Sequence, residues 1–261
     1  MALSLNWKAL SSKLQPGKVA EVKTKTANIQ RKRKYQSKNA SDIRKAHGVI
    51  TPAPTRHLTP LEFALWTSPS HSKFRVEPGN AKIQVDYADK KKRAPGKFVA
   101  IDCEFVGVGP GDESALARVS IVNYFGVELL DTYVKPEGRV TNWRTWVSGV
   151  TPQHMHSAIS FNEARKKVGE IISDRIVVGH AVHNDLSCLN ISVPKHRIRD
   201  TSRFPDFKKL NGGKTPALKK LCLVLLGIDI QNGQHSSVED AQATMAIFRL
   251  HQKAMEGHFA R

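Results

Sequence analysis

The sequence predicts an α/β sheet domain behind a basic N-terminal arm, and three observations predict it. Residues 98–134 hold three short extended apolar runs with a turn signal between the second and third. From residue 160 onward, helical and extended patterns alternate. Before Lys97 the chain is rich in Lys, Ser, Thr and Pro, with few aromatics and no sustained period.

The first run is Phe98–Val106. Leu116–Asn123 and Val127–Val134 follow, and Asn123-Tyr124-Phe125-Gly126 lies between them at hairpin-turn distance, so these three strands read as antiparallel. Phe161–Ser173 reads as a helix: Ser160 and Glu163 make a capping box, and Phe161, Ala164, Val168, Ile171 and Ile172 line one face. Arg175–Gly179 is a short apolar strand, Asn184–Leu189 suits a helix, and Ile198–Thr201 suits a strand. Pro216–Leu226 and Val238–His251 complete the set as helices. These elements divide the chain into an arm over 1–94, a folded domain over 95–255 and a tail over 256–261. Within the arm, Leu58–Trp66 is open between a short helix that anchors a partner and disorder.

Charge points to the partner. Residues 1–96 carry 20 Lys and Arg against 6 Asp and Glu, a net of +14 within the chain's +18. A polyanion such as nucleic acid is the physical reading, and a solvated tail is the alternative. Two compact basic runs, Arg31–Lys34 and Lys90–Arg93, suit nuclear import or phosphate contact. No apolar stretch follows Met1 as a secretory leader would require, and the run at Leu221–Leu226 is too short to span a bilayer, so no membrane role is expected. Cys103, Cys188 and Cys222 are an odd, scattered set without a CxxC pair, which argues against zinc fingers and disulfide frameworks.

The chemistry-bearing residues are acidic. Asp102 and Glu104 are two apart on a strand, so both carboxylates share one face. Like charges side by side in an apolar strand are costly, and a hard cation with oxygen ligands removes that cost. An edge strand with one wet face would also explain the pair. Asp185 follows a strand and opens a helix, where an acid complements the helix dipole without further purpose. Asp240 has a complete structural explanation as the third residue of a helix capped by Ser237, which leaves His235, just before that helix, unexplained. A loop histidine near such an acid can act as a general base. His180, His183 and Asp185 have poor spacing for a zinc site.

The order is the specific signal: D-x-E on the first strand, an Asp after a later strand, then H-x4-D opening the last long helix. That order resembles the DEDDh exonuclease superfamily. The run Ala100–Pro110 is similar to the first motif of its RNA exonuclease 4 branch, of the fungal type. Leu116–Asn123, Tyr133–Pro136, Arg144–Pro152, Val178–His180 and Ile198–Thr201 continue the likeness, which covers roughly residues 97–252.

The resemblance implies a ribonuclease H-like mixed sheet flanked by helices. It implies 3′→5′ exonuclease action on RNA with release of nucleoside 5′-monophosphates. Two Mg²⁺ ions would be bound, with Mn²⁺ as an alternative: one by Asp102, Glu104 and Asp240, the other by Asp102 and Asp185. His235 would take the proton from the attacking water. Phe105 stands where many relatives carry a Met that helps hold the 3′-terminal nucleotide, and Phe can still pack against a sugar or base. Arg144 matches an Arg that contacts the terminal ribose in relatives; its other reading is a surface Arg on a loop. Pre-ribosomal RNA in the nucleus, including the nucleolus, is the implied setting. Two other functions stay open: a non-catalytic RNA-binding ribosome-assembly factor, and a 3′→5′ exonuclease acting on DNA.

Overall fold

The computed structural model describes residues 59–67 and 89–259. The basic run at 31–34 lies outside them. Two helical segments come first, α1 (Pro60–Thr67) and the single turn α2 (Lys90–Arg93). The sheet then begins with β1 (Phe98–Val108), β2 (Glu113–Asn123), β3 (Glu128–Tyr133) and β4 (Val140–Asn142). A second single turn, α3 (Thr145–Ser148), and a 3₁₀ turn at Pro152–His156 lead into α4 (Phe161–Ile172), β5 (Ile176–Gly179) and α5 (His183–Cys188). After a 3₁₀ turn at Lys195–Arg197 come β6 (Ile198–Asp200), α6 (Pro205–Lys209), α7 (Leu218–Leu221), a π-helical turn at Cys222–Leu226, and α8 (Ser237–Phe259).

The sheet has the order β3-β2-β1-β5-β6, with β4 pairing the far end of β1. The leading strands are antiparallel, whereas β5 and β6 join parallel to β1. This is the mixed α/β sheet expected from the sequence. The change of direction follows from connection length: tight turns join β1 to β2 and β2 to β3, while α4 and α5 supply the crossovers that parallel pairing requires.

Alternation along β1 divides the core. Val99, Ile101 and Cys103 face Ala164, Val168 and Ile172 of α4. Phe98 and Ala100 face Ala241, Met245 and Phe248 of α8. Asp102 and Glu104 continue the face of Phe98 and Ala100, so they lie toward α8.

Several elements depart from the sequence reading. The helix expected over Pro216–Leu226 is split, because the chain widens into the π-helical turn. Cys222 and Leu226 thereby bury, while Leu223 and Val224 stand exposed. The last helix runs past His251 to Phe259, but His251 itself leaves helical geometry at φ −113°, ψ 16°. Its expected end therefore falls on a kink.

Of the two alternatives for the stretch Leu58–Trp66, the described residues take the helical one, from Pro60 onward. As α1 it buries Leu61, Ala64, Leu65 and Trp66, and Leu61 and Leu65 join the α8 side of the core. The Leu65 carbonyl accepts from the buried Arg249 guanidinium of α8, which also donates to the Tyr124 carbonyl at 3.0 Å. Lys92 of the second basic run donates to the Trp66 carbonyl at 2.9 Å and lies over the Trp66 and Phe125 rings. This lysine therefore holds α1 to the β2–β3 turn. The segments 59–67 and 89–94 pack with the domain, so a boundary drawn after residue 94 cuts into packed structure.

Candidate active site

β1 lies in the middle of the sheet, which excludes a wet edge strand as the reason for Asp102 and Glu104. β5 pairs with it only at 98–100 and β4 only at 107–108. Between these pairings β1 has a strand neighbour on the β2 side alone. The two carboxylates stand in that stretch, with Asp102 opposite Ser120 and Glu104 opposite Arg118.

The first turn of α8 covers them. The Asp240 N–H donates to the Ser236 carbonyl at 2.8 Å, so Ser236 rather than Ser237 occupies the cap position. Ser237 instead turns its hydroxyl onto Ser120, at 2.7 Å, and Ser120 donates to Asp131 at 2.7 Å. The capping-box explanation of Asp240 is thereby replaced. Its carboxylate points toward β1, and oxygens of Asp102, Glu104 and Asp240 lie within 4.8 Å of one another. The backbone N–H of Ser237, at the positive end of the helix, lowers Glu104 against the larger effect of burial.

This crowding has an electrostatic signature. Burial, then the charges of Asp240, Asp185 and Glu104, hold the Asp102 carboxyl well above the usual range. Burial and the charge of Asp240 push Glu104 up to about 8, and burial pushes Asp240 up to about 7. Glu104 Oε1 and Asp240 Oδ1 are buried without a hydrogen-bond partner. Buried acceptors left this way are rare in folded proteins. An oxygen-only trio with two unused buried lone-pair sites fits a hard divalent cation.

Asp185 stands apart from this trio. It is buried on α5, beside the Cys103 thiol on the other face of β1. Burial raises it to about 8, and its own charge acts on Asp102 and Glu104. The left-handed backbone at Ala181, φ 58°, turns the chain from β5 into α5, and the Ala181 N–H is held by Asp200 at 2.9 Å.

His235 sits on the loop before α8. Its backbone N–H donates to the Val147 carbonyl of α3 at 2.7 Å, and its Nδ1 faces Asp240 Oδ2 at 3.6 Å. Burial, then the charge of Lys219, lowers its pKa below the ordinary 6.5 and favours the neutral imidazole. Two neighbours were not legible beforehand. Gln231 donates to Asp240 Oδ2 at 2.9 Å and fixes that carboxylate. Arg118, opposite Glu104, grips Asp131 through two bonds of 2.8 and 2.9 Å and lowers both Asp102 and Glu104 electrostatically.

Of the remaining expected residues, Phe105 is half-buried against the α4 side of the core. Arg144 has its guanidinium on the Ser114 hydroxyl at 2.9 Å, the Asp112 carbonyl at 2.7 Å and the Asp112 carboxylate at 3.2 Å. In this structure it fastens α3 to the β1–β2 turn. His180 bonds Thr201 at 2.9 Å. Among the described residues, Asp102, Glu104 and Asp240 are the one group of this kind with metal-ligand spacing.

A mixed sheet with such a carboxylate trio under a helix N-terminus suits metal-dependent phosphodiester chemistry, and the Exonuclease family model, which matches residues 99–248, makes the class an exonuclease. Three relatives named RNA exonuclease 4 extend the match to nearly the whole chain. The Debaryomyces hansenii protein is 51% identical, covering 97% of this chain and 93% of its own. Those of Candida albicans and Saccharomyces cerevisiae are 47% and 44% identical, each over 95% of the relative's length and at least 95% of this chain. The chain belongs to the RNA exonuclease 4 family within the exonucleases. Among solved structures, the catalytic unit of Neurospora crassa Pan2 aligns with TM-score 0.56 and 26% identity over 76% of this chain and 32% of that one. The Saccharomyces cerevisiae Pan2 module in complex with AAUUAA RNA aligns with TM-score 0.55 and 28% identity over 75% of this chain and 34% of that one. The present chain spans about a third of either Pan2 chain.

Proposed function

We propose that the chain is a metal-dependent 3′→5′ exoribonuclease that releases nucleoside 5′-monophosphates and acts on ribosomal RNA precursors in the nucleus. One observation carries the metal and the chemistry: buried Glu104 Oε1 and Asp240 Oδ1 lack partners inside a carboxylate trio that burial holds at raised pKa, with the charge of Asp240 adding to the rise at Asp102 and Glu104. A protein that only bound a polyanion would gain nothing from that arrangement. The RNA exonuclease 4 relatives and the RNA-bound Pan2 module support RNA as the substrate.

Asp102, Glu104 and Asp240 would hold one divalent ion, and Asp102 with Asp185 a second; Mg²⁺ is the first choice and Mn²⁺ the alternative. Bound there, the ions would neutralise the scissile phosphate and make water acidic enough to attack at neutral pH. The protein's part is positional and protonic. Gln231 and the N-terminal turn of α8 orient Asp240, and the Val147 carbonyl holds the His235 backbone. With Nδ1 turned to Asp240, the neutral His235 offers Nε2 to the proton of the attacking water, and the imidazolium that forms faces the Asp240 carboxylate. The water oxygen bonds to phosphorus, the bond to the 3′-oxygen breaks, and that oxygen takes a proton from solvent, so the shortened chain ends in a 3′-hydroxyl.

The test uses a 5′-labelled single-stranded RNA with a free or a blocked 3′ end, and the matching DNA, with Mg²⁺ or excess chelator. A ladder that shortens from the free 3′ end of RNA, and only with the metal, is the expected result. No shortening of any oligomer would leave a binding protein, and faster loss of DNA would move the activity to that substrate.

A further inference from the structure

One residue before the carbonyl that holds the His235 backbone, the structure presents an indole that packing does not need. Trp146 is 60% exposed, the most exposed large apolar side chain among the described residues. Its neighbour Trp143 does the packing for this turn, half-buried against Val106, Ala117 and Val150. A mobile loop could carry a stray indole at little cost, but α3 is fixed at both ends. The Arg144 backbone is left-handed, φ 47°, with its N–H on Asn142 at 3.1 Å and its guanidinium on Asp112 and Ser114. The Thr145 hydroxyl closes onto the Val150 carbonyl at 2.6 Å, the Ser148 hydroxyl donates to the Trp143 carbonyl at 3.1 Å, and Gly149 at φ 66° ends the turn. The residue after Trp146 is Val147, whose carbonyl holds the backbone of His235. The indole is thus rigidly mounted one residue from the strut that positions the proposed base.

We infer that Trp146 is a nucleobase-stacking residue for the single-stranded 3′ segment of the substrate. The inference rests on the exoribonuclease reading. A large aromatic face in water, in a chain of net charge +18, matches how single-stranded RNA is held: basic groups take the phosphates and aromatic rings take the bases. Every base has a stacking face, so such a contact tolerates any sequence, as an enzyme that steps through successive nucleotides requires. Because α3 carries both Trp146 and the His235 strut, a base stacked on the indole would be held in fixed register with the site of cleavage.

The test compares Trp146→Ala and Trp146→Phe with the wild-type full-length chain. Steady-state hydrolysis of a single-stranded RNA and tryptophan fluorescence during titration with the same RNA in chelator are the two readouts. Stacking predicts that KM rises about 5- to 150-fold in the Ala variant, with a much smaller change in kcat. The Phe variant keeps KM within about 3-fold of wild type, since its ring still stacks. RNA quenches the wild-type fluorescence, and most of that quench disappears in Trp146→Phe. If the wild type hydrolyses RNA and the Ala variant keeps its KM with the quench intact, the inference falls alone and the indole is left for a protein contact. If the wild type hydrolyses no RNA, the exoribonuclease reading falls and takes this inference with it.

Discussion

Replacing Asp240 with asparagine is expected to stabilise the metal-free protein while removing its activity. Its carboxyl titrates at about 7 in the fold against an ordinary 3.8. The folded state therefore holds more protons than the unfolded state between about pH 4 and pH 7, and stability declines as pH rises through that window. At about 1.4 kcal/mol per pKa unit, the shift is worth up to about 4 kcal/mol above pH 7. Asp102 and Glu104 share the same repulsion, so a net gain of about 1–3 kcal/mol is the reasonable expectation for one substitution. For a domain of this size that is an increase of roughly 3–10 °C in Tm. Asn can keep the bond from Gln231 through its carbonyl oxygen and offers an amide donor to the neighbouring carboxylates. Thermal unfolding followed by circular dichroism in excess chelator should show the variant ahead at pH 8 and level with wild type near pH 4.5. Hydrolysis should fall more than about 100-fold, because a proposed metal ligand is gone. A variant less stable than wild type at pH 8, or equally favoured at both pH values, would refute the claim that crowded carboxylates strain the empty site.

Other expectations follow from single contacts. His235→Ala should lower kcat about 10²- to 10⁴-fold with the fold intact, and because burial lowers the histidine pKa, wild-type activity should persist below pH 6.5 as far as the base is concerned; an unchanged kcat would remove His235 from the mechanism. Gln231→Ala should weaken divalent-ion affinity about 10- to 100-fold by freeing Asp240, which calorimetric titration would read directly. Deleting residues 1–58 should flatten the salt dependence of RNA binding. Deleting 1–94 should lower Tm by more than about 5 °C, since Leu61, Leu65 and Trp66 each bury surface worth about 1.5–3 kcal/mol before ordering entropy is subtracted; equal Tm values for the two truncations would deny α1 its place in the core.

What the sequence disclosed was whatever depends on period and order. Two-residue spacing put Asp102 and Glu104 on one face, and the trio with Asp240 forms there. The helix at 161–172 was readable because one face is apolar over three turns, and the helix from 237 onward because Ala241, Met245 and Phe248 recur at helical spacing. Single turns such as α3 and α6, and the three-residue β4, have no period to detect and exist through tertiary contacts. Spacing could not show that Ser237 would turn toward Ser120, because that bond joins residues 117 positions apart. Gln231 and Arg118 were invisible for the same reason: an amide on a loop and an arginine on a strand gain meaning only from the carboxylates opposite them. The packing of α1 on the domain was hidden for a compositional reason, since α1 is a short apolar island between basic and polar stretches, and its partner surface on α8 lies far along the chain.

The most direct measurement is the number of Mn²⁺ ions bound by the wild-type protein with a nucleoside 5′-monophosphate present, counted from the resonance of free Mn²⁺ in solution. Two ions per chain, falling in Asp102→Asn where both proposed sites lose a shared ligand, is the result this account requires. No binding above background, or the same two ions in the variant, would contradict it.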